Sequence, residues 1–227
     1  MTGRAPPVEV GATAECAVGA VGAVGPRRSI LAQDRSRRTR TALIDAALGL
    51  WDQRGYEAGF ETTTVEEIAR AAGVTKGTFY FHFASKVDIL LERNAATEEA
   101  MAEEALRAVE AGDPLDVALT RAAVVLAGQS QQHPRAALAQ IVREFHRDPT
   151  LMREHSTFRR LLPRLFDDAR ARGDLPAHVD PERIAALTAA ILYSACEAWA
   201  DGRSADLLDD LEYGLRVLLA GVRAEGR

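Results

Sequence analysis

Apolar residues recur at helical spacing through most of the chain. Leu43, Ala47 and Trp51 fall on one face of a first helix, which Gly55 ends after about four turns. Turn signals lie at 112–114, 134, 148–149, 173–181 and 201–202. They divide the chain beyond residue 112 into about five helices. Alternating runs of Val, Ile and Thr, which would indicate strands, are absent. The sequence therefore predicts an all-α fold.

Short helices in the first half begin at recognisable caps. Residues 64–67 and 85–88 both have capping-box sequences, in which two side chains bond each other's backbone amides. The first box predicts a short helix that ends at Gly73, and Thr75 can cap the next short helix. The second box predicts a long helix that extends to about Val109.

The two short helices have the composition of a helix-turn-helix. Small Ala69 lets the second helix approach closely, and Gly73 can adopt the positive φ of the turn. Ile68, Val74 and Phe79 are predicted to pack between the helices. The remaining face of the second helix is then free to contact DNA.

That face carries short donors, an aromatic hydroxyl and an imidazole, which suit base edges and phosphates. Its candidate DNA-binding residues are Lys76, Gly77, Thr78, Tyr80 and His82. Glycine at position 77 lets the helix N-terminus, with its free amides, come close to a phosphate.

Lysine usage supports the same interpretation. Of 28 basic side chains only Lys76 and Lys86 are lysines, and both lie at predicted helix N-termini. A cation there opposes the helix dipole, so phosphate contact explains these lysines better than a structural role.

Charge is unevenly distributed although the net charge is −5. Residues 27–93 carry 11 basic and 9 acidic side chains, whereas residues 94–227 carry 16 and 22. The basic run at 35–40, including Arg38 and Arg40, is either an arm that reaches the minor groove or a solvated helix start. This distribution favours a DNA-binding N-terminal part and an acidic body.

The motifs resemble the signature of the TetR (tetracycline repressor) family. The similarity covers about residues 37–92, from Thr64-Val65-Glu66-Glu67-Ile68-Ala69 through Ala72-Gly73-Val74-Thr75-Lys76-Gly77-Thr78-Phe79-Tyr80-Phe81-His82-Phe83 to Ser85-Lys86. The resemblance implies a three-helix DNA-binding domain, a connecting fourth helix, and a helical C-terminal domain that dimerises and binds an inducer.

The resemblance also implies residue roles. Major-groove contacts fall to Thr75, Lys76, Thr78 and Phe81. Phosphate contacts fall to Thr64, Tyr80, His82 and Lys86. Glu66 lies where several relatives have a basic or polar DNA contact, which argues against a base contact from that helix.

Three regions are predicted: a disordered leader at 1–34, a DNA-binding domain at 35–84, and an effector-binding and dimerisation domain at 85–227. No run reaches the roughly 18 apolar residues of a membrane span. Cys16 and Cys196 form neither a disulfide framework nor a metal-ligand spacing, which favours a reducing, cytoplasmic setting.

Two apolar stripes near the C-terminus need a partner. The predicted homodimer interface comprises Ile184, Leu187, Ile191, Leu208, Leu211, Leu215 and Leu218. Packing within one chain is the alternative. Dimerisation is favoured because two recognition helices spaced by a helical turn match a palindromic operator.

A pocket for a small-molecule effector is predicted where polar and aromatic residues interrupt apolar faces. The candidates are Phe145, His146, His155, Phe158, Tyr193, Glu197 and Trp199. The acidic balance of this half favours a neutral or cationic effector.

Two other functions compete with a repressor released from operator DNA. The first is a metal-dependent or enzymatic sensor with an appended helix-turn-helix, but no metal-ligand spacing, phosphate loop or nucleophile motif supports it. The second is a helical adaptor that binds protein. The sequence predicts a non-enzymatic regulator without a metal or cofactor.

Overall fold

The computed structural model describes the backbone of residues 26–224 and the side chains from Gln33 to Ala224. This described part is all-α, as predicted, with helices at α1 (Pro26–Gln53), α2 (Tyr56–Thr62), α3 (Val65–Ala71), α4 (Lys76–His82), α5 (Lys86–Glu110), α6 (Leu115–Gln131), α7 (Arg135–Arg147), α8 (Pro149–His155), α9 (Thr157–Ala171), α10 (Pro181–Ala200) and α11 (Leu207–Ala224).

The predicted leader differs from the structure at its C-terminal end. Helix α1 begins at Pro26, so residues 26–34 are helical, while residues 1–25 lie outside the described residues. The chain divides into two compact units, residues 1–38 and residues 39–227. The second unit contains residues 39–84 of the predicted DNA-binding domain and all of the predicted effector-binding domain, so the boundary at residue 84 stays a prediction.

Both capping boxes are confirmed. Thr64 accepts from the Glu67 amide at 3.2 Å, and the Glu67 carboxylate accepts from the Thr64 amide at 2.8 Å. Ser85 and Asp88 make the same reciprocal pair at the start of α5. These bonds satisfy backbone donors that an uncapped helix would leave unpaired.

The helix-turn-helix is α3 and α4. Gly73 has a φ of 69° in the turn between them, the conformation that glycine adopts without strain. Ile68 and Ala69 of α3 and Phe79 of α4 are buried together. This packing holds α4 so that its opposite face points to solvent.

Helix α2 is absent from the sequence-based prediction. Tyr56 and Phe60 of α2 make edge-on contacts with the buried indole of Trp51, with ring centroids 5.8 and 5.0 Å apart. A Cβ at Gly59 would lie 2.6 Å from the Trp51 Cα, so glycine is required for this close crossing. Tertiary contact with α1 therefore stabilises a helix of only seven residues.

A second core lies among α5, α6, α9, α10 and α11. The sequence predicted about five helices beyond residue 112, and the structure has six, α6 to α11. The additional helix is the short α8, which Asp148 caps and in which Pro149 occupies the first turn. Helix α7 joins the two cores, since Ala137, Ile141 and Phe145 pack with the helix-turn-helix cluster. Arg147 of α7 also pairs with Glu61 at 3.1 Å.

Candidate functional site

The outer face of α4 is an exposed aromatic and polar surface. Tyr80 is 51% exposed and Phe81 is 80% exposed, whereas neighbouring Phe79 is fully buried against α3. Leaving a phenylalanine this exposed has an unfavourable hydration free energy. The surface therefore has the character of a binding site, which we call the α4 face: residues 75–78 and 80–82.

The N-terminus of α4 is ordered by threonines and open at its glycine. Thr75 Oγ1 accepts from the Thr78 amide at 3.1 Å and lies 2.9 Å from Thr78 Oγ1. A Cβ at Gly77 would meet only Thr75 Oγ1, at 3.7 Å. Packing within the chain therefore does not require glycine at this position, in agreement with an external requirement such as close approach to DNA.

Lys76 lies on the α4 face and is paired with Glu66 of α3. The lysine ammonium lowers the pKa of the Glu66 carboxyl, and the carboxylate raises the pKa of Lys76. Both side chains are about half exposed, so the pair is weak and the ammonium can exchange Glu66 for a phosphate.

Lys86 has a structural role that the sequence did not indicate. Its Nζ donates to the backbone oxygens of Phe60, Glu61 and Thr63, the last at 3.0 Å. These carbonyls end α2, so the cation at the start of α5 meets the negative end of another helix. Burial lowers its pKa. The argument that phosphate explains both lysines therefore does not hold for Lys86.

Arg40 is also held inside the domain. Its guanidinium donates two bonds to the Glu92 carboxylate, at 2.7 and 2.8 Å, and one to the His82 backbone oxygen at 2.8 Å. It also stacks on the Phe83 ring at 4.3 Å. Arg40 therefore joins α1, α4 and α5, whereas Arg38, in the first unit, is exposed on α1.

The remaining predicted contacts lie at the margins of the α4 face. Thr64 is exposed at the α3 cap, with its hydroxyl bonded to Glu67. The His82 ring packs edge-on against Phe81, and burial together with the charge of Arg40 lowers its pKa. Both effects disfavour the cationic form of His82 and favour its neutral, hydrogen-bonding form.

A mainly apolar cavity of about 80 Å³, which we call the inner cavity, lies among α5 to α10. It is lined by Asn94, Glu98, Met101, Leu126, Leu138, Ile141, Val142, Phe145, Met152, Ser156, Phe158, Arg159, Leu162, Ala189, Leu192, Tyr193 and Cys196. Few polar groups among many apolar ones are typical of a small-molecule site.

Glu98 is the acidic residue among those that line the inner cavity. Its carboxylate accepts from the Ser156 hydroxyl at 2.7 Å and from the Phe158 amide at 3.1 Å, so it ties α5 to the start of α9. Burial raises the pKa of Glu98. Burial also raises the pKa of the Cys196 thiol to about 12, which makes that thiol unreactive.

The predicted pocket residues are only partly brought together. Phe145, Phe158 and Tyr193 line the inner cavity. His146 lies just outside, where its Nδ1 is 3.1 Å from the Tyr193 hydroxyl and its Nε2 is 3.8 Å from Glu197. Neither Glu197 nor His146 is in the lining.

His155 and Trp199, which were predicted to line the pocket, are not among the residues that line the inner cavity. His155 is exposed at the end of α8. Trp199 is buried beneath the Arg135 guanidinium, 4.6 Å from the ring centroid, in the C-terminal core. Sequence reasoning missed Asn94, Glu98 and Arg159, and their only signal was a polar side chain on an otherwise apolar helical face.

A second, more polar cavity of about 180 Å³, which we call the outer cavity, lies among α5, α6 and α7. Arg93, Thr97, Gln129, Ser130 and His133 supply its polar groups. Thr97 donates to Gln129 across it at 2.7 Å. Nothing in the hydrophobic pattern predicted this cavity, because its residues come from three separate helices.

The predicted dimer residues fall into two groups. Ile184, Leu211 and Leu215 are buried in the chain's own core, so they are unavailable to a second subunit. Leu187 is 54% exposed, and Ile191, Leu208 and Leu218 are partly buried. Tyr213 and Val217 of α11, which the prediction omitted, are also exposed.

Two properties of the described residues bear on the competing functions. Within residues 26–224, no three His, Cys, Asp or Glu side chains converge as metal ligands would. No helix in that range combines the length and apolar character needed to cross a membrane.

Residues 43–92 match the family model of bacterial regulatory proteins of the tetR family. The HTH-type transcriptional regulator AcrR of Shigella flexneri is 34% identical over 117 residues, which are 51% of this chain and 52% of that protein. TcmR of Streptomyces glaucescens is 47% identical over 70 residues, 31% of this chain and 29% of that protein. These two matches therefore span about half, or less, of each relative's length.

Solved structures match over a larger part of the chain. FadR of Thermus thermophilus, a TetR-family transcriptional repressor in complex with lauroyl-CoA, has a TM-score of 0.67 and 28% identity, and the match covers 80% of this chain and 94% of that one. NalD of Pseudomonas aeruginosa, the secondary repressor of the MexAB-OprM multidrug efflux pump, has a TM-score of 0.57 and 25% identity, with coverage of 84% and 98%. Residues 43–92 therefore belong to the tetR family of bacterial regulatory proteins, and the helical arrangement of the chain is similar to that of a TetR-family repressor.

Proposed function

We propose that the protein is a transcriptional repressor that binds a palindromic operator as a homodimer and is released by a small-molecule effector. The observation that carries the proposal is the α4 face, where Tyr80 and Phe81 are exposed while neighbouring Phe79 is locked in the core. A rigid helix with a polar, aromatic outer face can enter the major groove. No cofactor is part of this function, and its place of action is the cytoplasm, where operator DNA lies.

The homodimer in this proposal uses the outer faces of α10 and α11. Leu187, Tyr213 and Val217 are exposed there, and Ile191 lies beside Gly214, whose lack of a side chain keeps the two helices close. Exposed apolar side chains on adjacent helices suit burial against a second copy. A dimer is also what a palindromic operator requires.

Effector binding in the inner cavity supports release, because this cavity adjoins both routes to the helix-turn-helix. Helix α5 is the covalent connection, and α7 contacts α2 while supplying Leu138, Ile141, Val142 and Phe145 to the cavity wall. A ligand that prefers one position of these helices would shift the separation of the two recognition helices. FadR of T. thermophilus, which has this fold, binds lauroyl-CoA.

The first test is selection of bound fragments from random DNA. Wild type is compared with Lys76→Ala and Tyr80→Ala, and with Arg164→Ala, which removes an exposed cation on α9, outside the α4 face. Selection by the Arg164 variant is the charge-matched control. We expect a palindromic sequence that wild type and the Arg164 variant enrich and the two α4 variants do not. No enrichment by a folded wild-type protein would refute DNA recognition and favour the protein adaptor.

Salt dependence separates the same alternatives quantitatively. A dimer that contacts about six to ten phosphates loses on the order of a thousandfold in affinity between about 50 and 200 mM salt. Docking of apolar helices on a protein partner lacks that slope. Metal analysis of the purified protein tests the sensor alternative, which stoichiometric zinc or iron would revive.

A further inference from the structure

The two cavities are separated by shared walls. Asn94, Leu126, Leu138 and Ile141 line both of them. A rotamer change at these side chains would join an apolar chamber to a polar one that opens beside the exposed loop between α6 and α7. A ligand with an apolar body and a polar end fits this arrangement.

The outer cavity, which is the more polar of the two, carries a positive charge. Arg93 and His133 line the outer cavity, and no carboxylate is among the residues that line it. Burial, and then the charge of nearby Arg93, lower the pKa of His133, so the positive charge of this cavity is that of Arg93. Although the whole C-terminal half is acidic, the local field therefore favours an anion, because charges within a few ångströms outweigh screened distant ones.

Arg93 has donors to spare. In the described part of the chain its guanidinium forms no ion pair, and one side-chain bond reaches the Tyr56 hydroxyl at a long 3.3 Å. A guanidinium carries five N–H donors in a planar fork that matches a carboxylate or phosphate. An anion in the outer cavity would be the better acceptor.

We propose that the inner and outer cavities form one site for an amphipathic anion, with its apolar chain in the inner cavity and its anionic group on Arg93 in the outer one. This rests on the proposed function in taking the ligand to be the effector. The inner cavity is narrow, so a slender chain requires the least rearrangement.

The same arginine supplies a route to the DNA-binding part. Tyr56 of α2 belongs to the buried cluster that also contains Phe60 of α2 and Trp51 of α1. An anion that takes Arg93 away from the Tyr56 hydroxyl removes a contact between α5 and α2, and so favours a different position of the helix-turn-helix.

The head group is tested by calorimetric titration of the full chain, without DNA, using decanoate, 1-decanol and protonated decylamine. The three probes share one apolar chain, so differences report the head group. We expect decanoate to bind about tenfold or more tightly than decanol, since a charge-assisted bond replaces a neutral one. Equal binding, or tighter binding of decylamine, would overturn the assignment.

The anchor is tested with charge-removing variants. Arg93→Gln should abolish the preference for decanoate over decanol, whereas Arg183→Gln, at a site 87% exposed on α10, should keep it. Arg159 is the competing anchor because it lines the inner cavity. If Arg159→Gln abolishes the preference and Arg93→Gln keeps it, the proposal is wrong.

The relay is tested with Tyr56→Phe, which keeps the ring and removes the hydroxyl. We expect this variant to bind decanoate as wild type does, while decanoate lowers its operator affinity less than that of wild type. An unchanged ligand response would overturn the relay. Ligand binding is measured without DNA, so failure of operator binding would refute the proposed function and leave the cavity result intact.

Discussion

The α4 face and the two cavities differ in how their residues come together. Residues 75–82 form the α4 face within a single short helix and its cap, and one sequence motif describes it. The inner cavity draws its lining from six helices, from Asn94 on α5 to Cys196 on α10. A surface that reads a constant structure such as DNA can be built locally, whereas an enclosed volume needs distant segments to pack around it.

The two neighbouring phenylalanines of α4 give the largest contrast. We expect Phe79→Ala to lower the free energy of unfolding by about 3–5 kcal/mol, because the ring is fully buried. Phe81→Ala should leave stability within about 0.5 kcal/mol and weaken operator binding. Urea unfolding and DNA titration measure the two effects. Equal losses of stability would mean that Phe81 is packed in solution.

The two lysines separate a role in DNA contact, proposed for Lys76, from a structural role, observed for Lys86. Lys86→Met should destabilise the fold by about 1 kcal/mol, since three carbonyls at the end of α2 lose a charged donor that is partly exposed. Lys76→Met should keep stability and reduce the slope of log affinity against log salt by about one per subunit. Thermal unfolding and binding at several salt concentrations distinguish them; a reduced salt slope for Lys86→Met as well would restore a phosphate role.

Gly77→Ala tests whether α4 approaches DNA closely. The chain has room for the added Cβ, so we expect stability to rise by about 0.5 kcal/mol from improved helix propensity. Operator affinity should fall because the methyl group occupies the space that a phosphate needs. Both changes are measured on one preparation, by unfolding and by DNA titration. Unchanged affinity would remove the steric role of this glycine.

The smallest effect is expected for Glu66→Gln. Removing the carboxylate frees Lys76 and removes a negative charge near the DNA, so binding should strengthen several-fold at low salt and only slightly at high salt. Glu103→Gln, on an exposed position of α5, is the matched change of charge at a distance. An equal gain from both variants would indicate net charge and not release of Lys76.

Prediction from sequence succeeded where the signal was local. The caps at Thr64 and Ser85 and the turn at Gly73 occur as predicted, because each depends on backbone groups within a few residues. Helix α2 was missed because Gly55 and Gly59 indicate a break, and only the close crossing of α2 over the Trp51 backbone shows why glycine is needed at position 59. Local composition and tertiary packing point in opposite directions at that helix.

Side-chain roles were predicted less well than elements. Lys86 was predicted to contact phosphate, and Arg40 was placed in either a DNA-contacting arm or a solvated helix start, whereas the structure pairs them with backbone carbonyls and with Glu92. In the C-terminal half, Trp199 was assigned to a pocket and lies in the core. Sequence shows which groups are charged or aromatic, but their partners are far away along the chain.

By itself, the sequence determined an all-α chain, its caps, its helix-turn-helix and the family resemblance of residues 43–92, because these depend on periodicity and on contacts within one or two turns. Only the tertiary structure decided which apolar stripes are buried, which cations are already paired, and where the two cavities lie. Those outcomes depend on helices such as α5 and α10, about a hundred residues apart, sharing the same volume, and close packing of side chains sets them.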